Sequence, residues 1–164
     1  MFRSVVMRAA RTALRAEEAA ASDPAFATKL KFNFSIPSTP IYAAAPVRMV
    51  IVPGASGVFG VLKDHVPTTA AMKPGVVQIQ ENEGETELKQ YFVSGGFAFV
   101  KPDSSLDIQA VEAVKLEDLD VEAVKKGVAN YSALVSSTTD EKEKAQAEIG
   151  LEVYQAMAAA LNAA

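Results

Sequence analysis

The chain has no cysteine, no tryptophan and a single histidine, His65, and aromatic residues make up only 7% of its 164 positions. Without cysteine it forms neither a disulfide nor a thiolate zinc site, which fits a reducing compartment. One histidine cannot build a histidine-rich metal site. No serine stands in a nucleophile-elbow pattern. No run approaches the length of apolar sequence needed to cross a bilayer, so nothing here reads as a membrane-spanning helix. Hydrophobic residues are plentiful at 49%, but 29 of the residues counted there are alanines. Alanine favours helices and adds little to a core, so that figure overstates the core.

Charge is divided unevenly along the chain. The net charge is −4, yet Arg3, Arg8, Arg11 and Arg15 all precede the first acid, Glu17. Residues 17–164 therefore carry 12 basic and 20 acidic groups, a net of −8. An acidic body repels phosphate backbones, which argues against a nucleic-acid partner. On a helical wheel Arg8, Arg11 and Arg15 fall within about 60° of one another, opposite Phe2, Val6, Ala9 and Ala13. A basic, acid-free amphipathic start of this kind reads as a mitochondrial presequence, and residues 17–28 read as linker around its cleavage site.

The folded part is expected to begin near Leu30. Leu30, Phe32, Phe34 and Ile36 alternate with Lys31, Asn33 and Ser35, the period of a half-buried strand. Ile41 to Ala45 reads as a short edge strand. Val47, Met49 and Ile51 alternate with Arg48, Val50 and Val52, which suggests burial on much of both faces. Val76–Gln80 and Glu87–Val93 flank the polar stretch Glu81-Asn82-Glu83-Gly84-Glu85, a hairpin with a solvated tip. Phe97 to Val100 follows a double glycine. Leu106, Ile108 and Ala110 form a last alternating strand beyond the turn-forming Pro102-Asp103-Ser104-Ser105. Short strands at this spacing imply a sandwich or barrel.

The period changes near residue 115. Val121, Val124, Val128, Tyr131 and Leu134 recur at steps of three or four, one face of an amphipathic helix. Ser136 to Thr139 breaks that pattern. A second helix follows, with Asp140 or Thr139 as cap and Ala145, Ile149, Val153, Ala156 and Ala160 on one face. Two helices joined by so short a loop lie antiparallel. The domains expected are a leader and linker over 1–28, a β-sandwich over 29–114 and a helical hairpin over 115–164.

Candidate chemistry is sparse. Gly54-Ala55-Ser56-Gly57-Val58-Phe59-Gly60 has the look of a phosphate-cradling loop, but such a loop needs Gly-Lys-Ser/Thr opening a helix, and here Val61 and Leu62 look like strand. The carboxylates at 81–87 and 140–143 lack the fixed spacing of a calcium loop. No catalytic, cofactor-binding or metal-ligating residues are assigned. His65 reads as a structural or interface residue. Val58 and Phe59 sit between two glycines on a segment that looks too short to bury both. With Ser56, Lys63, Asp64 and His65 they would make a small exposed patch around an aromatic anchor, a composition suited to a protein interface.

Three blocks carry a family resemblance. They are Gly57-Val58-Phe59-Gly60-Val61-Leu62-Lys63-Asp64-His65-Val66-Pro67 with Met72-Lys73-Pro74-Gly75-Val76-Val77, then Phe92-Val93-Ser94-Gly95-Gly96-Phe97, then Leu116-Glu117-Asp118-Leu119-Asp120. In this order and spacing the chain resembles the small central-stalk subunit of F-type ATP synthases over roughly residues 29–164. The resemblance implies a sandwich of about ten strands followed by a two-helix hairpin. It also implies a non-catalytic rotor component, without a cofactor, on the matrix side of the mitochondrial inner membrane. Its partners would be the gamma shaft subunit, the c-ring and the small epsilon-type stalk subunit, with membrane contact only through the ring. Ser56, Val58, Phe59, Lys63, Asp64 and His65 would then belong to the loop beside the ring. Some family members bind ATP through a hairpin motif Ile/Leu-Asp-x-x-Arg-Ala. Here Leu119-Asp120-Val121-Glu122-Ala123-Val124 has Ala123 in place of the arginine, so phosphate charge lacks its cation. The alternative reading is an independent β-sandwich enzyme or ligand-binding module with a helical appendage, which would require a pocket with converging polar groups.

Overall fold

The computed structural model describes residues 26–163. The basic leader therefore lies outside the described residues. Ten strands come first: β1 Leu30–Ile36, β2 Thr39–Val47, β3 Met49–Gly54, β4 Gly57–Leu62, β5 Thr68–Met72, β6 Gly75–Gln80, β7 Lys89–Val93, β8 Gly96–Val100, β9 Ser105–Ala110 and β10 Ala113–Lys115. A 3₁₀ turn over Leu116–Asp118 leads into helix α1, Val121–Ser137, and helix α2, Glu141–Ala163. The strands follow the order β10-β7-β6-β3-β5-β8-β9-β1-β2, with β4 paired to β3. Strands β3 and β5 share only the pair Gly54↔Met72, so the path turns there and divides into two leaves. One leaf holds β10, β7, β6, β3 and β4; the other holds β5, β8, β9, β1 and β2. Only β1 and β9 run parallel.

Period-two patterning decides the core. Leu30, Phe32 and Phe34 of β1, Leu106 and Ile108 of β9, and Val77 and Ile79 of β6 are all buried in one cluster between the leaves. Strand β3 has the expected burial on both faces but does not run on from Val47. A bend at Arg48 separates β2 from β3 and resets the phase. Val50 and Val52 are fully buried, whereas Met49 and Ile51 are half-buried. The open end of the sandwich is filled by rings. Tyr42 packs on Phe32 at 5.3 Å, and Tyr91 meets Phe34 edge-on at 5.6 Å. Burial pushes the Tyr42 hydroxyl up, with Tyr91 and Glu81 adding to the shift, and that hydroxyl donates to Glu81 at 3.1 Å.

The helices begin where their capping residues stand. Asp120 Oδ1 accepts from the amides of Glu122 at 2.9 Å and Ala123 at 3.1 Å. Asp140 does the same for Lys142 and Glu143 at 2.9 and 3.0 Å. Both caps satisfy amides that have no partner within the helix. The hairpin interior matches the expected apolar stripes only in part, with Val124 buried and Val128 and Tyr131 half-buried. Leu134 is 48% exposed and Ile149 is 65% exposed, while Gly127 and Ala147 are buried. Two Gly-x-x-x-Tyr pairs interlock across the hairpin. A methyl added at Gly127 would overlap the Tyr154 ring, and one added at Gly150 would overlap the Tyr131 ring. The two rings stack on each other, with centroids 5.3 Å apart. A stripe of apolar residues cannot reveal this seam, because its closest approaches are made where no side chain exists.

The stripe of α2 has another role. Val153, Ala156 and Ala160, with Met157 and Leu161, pack on Phe92, Val76, Leu116 and Leu119. Phe92 and Val76 are cross-strand partners on the outer face of the first leaf. Ala145 and Ile149 continue the same stripe but stay exposed.

Candidate functional site

The segment 56–65 is a strand with a turn at each end, not one short loop. Ala55 and Ser56 form the two-residue turn between β3 and β4, closed by the pair Gly54↔Gly57. Gly57 has φ +139°, a value other residues rarely adopt. The turn is tied to β5 by Ala55 N–H donating to Ala71 O at 2.8 Å. Because Gly60, Val61 and Leu62 continue as strand, no helix start faces this glycine-rich turn.

Along β4 the side chains alternate. Val61 is fully buried; Val58 is 67% exposed and Leu62 is also exposed. The expectation for Phe59 needs correction. It lies in mid-strand, half-buried, with its ring over Gly54 and packed against the main core. Its partner in register is Val52, which places the ring over β3 instead of in solvent. The apolar anchors that do reach solvent are Val58, Leu62 and Val66, the last 69% exposed. Among the described residues, strand β4 is paired on one side only, to β3. Leu62 and Val66 were missed because sequence alone does not say which apolar residues of an edge strand face out.

The polar residues of the expected patch gather at the far end of β4 from Ser56. His65 N–H donates to Leu62 O at 3.3 Å, closing a turn over 62–65. Lys63 Nζ donates to Ala27 O. Asp64 has φ +61° and Ser104 has φ +60°. The Ser104 hydroxyl donates to Asp64 Oδ1 at 2.8 Å and accepts from Asp64 N–H at 3.3 Å. So Asp64 is engaged with a second turn rather than extended beside His65. The His65 ring lies 6.3 Å from Phe59, and its Nδ1 donates to Val66 O at 2.8 Å, which leaves Nε2 as the nitrogen without that bond. The structure therefore brings Phe59 and His65 together, turns Asp64 to Ser104, and leaves Ser56 and Val58 at the opposite end of the strand.

Elsewhere on the sandwich, Phe97 and Phe99 stack at 6.2 Å on the outer face of β8, and Phe97 is 52% exposed. Ala71 and Gln109 flank Phe97 in register. No helix covers this face among the described residues. At the seam with the hairpin lies a cleft of about 970 Å³ bordered by the β6–β7 loop, Lys115–Leu119 and Leu161. Five of its six charged side chains are already engaged. Lys89 pairs with Glu81 at 2.7 Å and Lys115 with Glu117 at 3.2 Å. Glu85 accepts from the amides of Glu81 and Asn82 at 3.1 and 2.9 Å, which orders a hairpin tip that had read as merely solvated. The bond from the Asn82 side chain, with these amides, holds the Glu85 carboxyl below its usual range. Among the described residues no group of three potential metal ligands converges, and no helix is long and apolar enough to cross a membrane.

A two-leaf β-sandwich with an antiparallel helix pair docked on one outer face, and apolar side chains exposed elsewhere among the described residues, has the form of a small docking module. Residues 29–116 match the model of the ATP synthase delta/epsilon chain, beta-sandwich domain. The chain is 48% identical over 129 residues to ATP synthase F(1) complex subunit delta, mitochondrial, of Dictyostelium discoideum, covering 79% of this chain and 75% of that one. It is 40% identical over 164 residues to the mitochondrial ATP synthase subunit delta of Neurospora crassa, covering 95% and 98%. A chain in the Euglena gracilis mitochondrial ATP synthase (OSCP/F1/c-ring) superposes with a TM-score of 0.76 at 31% identity, over 85% of this chain and 86% of that one. A chain of the Tetrahymena thermophila central stalk and c-ring shares the fold, with a TM-score of 0.61 at 14% identity, over 82% and 98%. The chain belongs to the ATP synthase delta/epsilon family. Its role is that of a structural subunit of the mitochondrial ATP synthase central stalk, without catalysis of its own.

Proposed function

We propose that the chain couples the membrane c-ring to the gamma shaft, so that proton-driven ring rotation reaches the catalytic head as torque. Such a piece needs a rigid body with separate attachment surfaces. The observation that carries the reading is that the sandwich leaves two apolar surfaces uncovered. One is the β4 margin with Val58, Leu62 and Val66; the other is the Phe97–Phe99 face of the opposite leaf. The first lies beside the polar groups Ser56, Lys63, Asp64 and His65 and is assigned to the polar loops of the c-ring. The second, flat and aromatic, is assigned to the shaft, since a core of aromatic contacts suits a lasting interface. The helical hairpin, over 115–164, adds a surface for the small epsilon-type stalk subunit. The subunit would sit peripherally on the matrix side of the inner membrane. Residues 1–28 would serve as leader and linker, with the basic leader cleaved on import near residues 17–28, and N-terminal sequencing of the organellar protein would find Met1 absent.

Val58 provides the cleaner test of the ring contact, because Phe59 belongs partly to the core. Val58→Asp changes an exposed side chain and should move stability by no more than about 0.5 kcal/mol. The expected result is an unchanged melting temperature for the isolated chain and reduced retention of the chain in the assembled complex. Wild-type retention would remove the β4 margin from the ring interface.

A further inference from the structure

We propose that Ser104 is a positioning residue for the ring-facing turn. The Asp64–Ser104 pair would be a latch that fixes how His65 and Val66 are presented. The proposal rests on the ring contact argued above, but its physical basis is independent of that contact. Asp64 and Ser104 both occupy the left-handed region, at φ +61° and +60°. Non-glycine residues adopt it only where the surroundings hold them there. The two residues are joined directly through the Ser104 side chain. The Ser104 hydroxyl donates to the Asp64 carboxylate at 2.8 Å and accepts from the Asp64 amide at 3.3 Å. One hydroxyl thus serves both the side chain and the backbone of a residue 40 positions away.

The two turns so joined differ in rigidity, which gives the latch a direction. The β8–β9 turn is braced from within. Lys101 N–H donates to Ser105 O at 2.8 Å and Ser104 N–H to Lys101 O at 3.2 Å. Asp103 Oδ1 accepts from the Ser105 hydroxyl at 2.7 Å and amide at 3.1 Å. Ser105 is itself buried. The 62–65 turn has a single backbone bond of its own, His65 N–H to Leu62 O at 3.3 Å. Its other ties are the Ser104 latch and the Lys63 ammonium on Ala27 O. The braced turn is therefore the anchor and the ring-facing turn the part held. Immediately beyond the latch come His65, half-buried against Phe59, and Val66, which is exposed.

The chain offers a direct reporter, because His65 is its only histidine and gives one imidazole Cε1–H signal in proton NMR. The experiment records that signal for the full chain with Ser104→Ala, Ser104→Gly, Asp64→Asn and Asp64→Gly. It then measures retention of the two Ser104 variants in the assembled complex. Ser104→Gly tolerates the positive φ but lacks the hydroxyl, so it separates the hydrogen bond from backbone strain. Both Ser104 variants and Asp64→Gly are expected to shift or broaden the His65 signal beyond its linewidth. Asp64→Asn, which keeps the acceptor oxygen, should restore a near-wild-type signal. Both Ser104 variants should melt as folded chains and be retained several-fold less well in the complex. An unchanged His65 signal in Ser104→Gly overturns the latch. A shifted signal with wild-type retention leaves the latch standing and removes the ring contact on which its purpose rests.

Discussion

The sandwich and the hairpin solve the packing problem in opposite ways. Between the leaves, space is filled by side chains: Phe32, Phe34, Leu30, Ile79, Leu106 and Ile108 are fully buried there. Between the helices, space is removed, since Gly127 and Gly150 let the backbones approach until the Tyr131 and Tyr154 rings lie against bare Cα atoms. A core built by filling loses stability when a side chain shrinks. A seam built by close approach loses it when a side chain grows. The two regions should therefore be weakened most by opposite kinds of substitution, the sandwich by shrinking a side chain and the seam by growing one.

The largest effect is expected in the sandwich. Phe34 is fully buried, with its ring against Phe32 of the same strand and Tyr91 of the facing leaf. Phe34→Ala removes a ring from a close-packed interior and should cost about 3–5 kcal/mol, enough to place a domain of ordinary stability near its unfolding midpoint. Urea titration followed by far-UV circular dichroism would measure it. A loss below about 1 kcal/mol would mean that the core relaxes around the vacancy, contrary to native packing density.

The intermediate effect reverses an ordinary rule. In a free helix Gly→Ala stabilises by about 1 kcal/mol. At Gly150 the added methyl meets the Tyr131 ring, and at Gly127 the Tyr154 ring. Gly150→Ala should therefore destabilise the hairpin by about 1–3 kcal/mol through overpacking. The double variant Gly150→Ala with Tyr131→Ala should recover part of that loss. The change belongs in the helical signal at 222 nm, and the His65 resonance of the sandwich should stay in place. A more stable Gly150→Ala chain would show that the interlock contributes nothing.

How legible each region was in the sequence follows the same division. Filling leaves a mark, because β1 and β9 alternate apolar and polar residues and the buried set matches that alternation. Close approach leaves none in a hydrophobicity pattern. The repeated Gly-x-x-x-Tyr spacing was the available signal, and a reading that counts apolar residues passes over glycine. That is why the apolar stripes read from the sequence include Leu134 and Ile149, which stand exposed, and omit Gly127 and Gly150. For the candidate site, sequence located the segment but not its facing. Phe59 and Val58 are both apolar neighbours on β4, and only the pairing Val52↔Phe59 settles which one lies over the sheet. The Asp64–Ser104 contact spans 40 residues, and no local pattern announces it.

The smallest expected effect is none at all, and it concerns the start of the hairpin. In the family motif an arginine stands where this chain has Ala123, which is exposed at the first turn of α1. Asp120, in the motif's aspartate position, is already occupied as the helix cap, accepting from the Glu122 and Ala123 amides. Those amides are the groups that would otherwise face an anion at a helix start. The charges nearby are unfavourable to phosphate: Glu117, Asp118 and Glu122 surround the turn, and Lys125 is paired to Glu122 at 3.3 Å. Calorimetric titration of ATP into the full chain should therefore give no heat beyond dilution. Micromolar binding would mean that the hairpin recruits a cation from elsewhere and would overturn the argument. Ala123→Arg sharpens it. If the missing cation is the whole deficit, that variant gains measurable affinity; if the capped amides and neighbouring acids also matter, it gains little, and a further Glu122→Gln change is needed to reveal it.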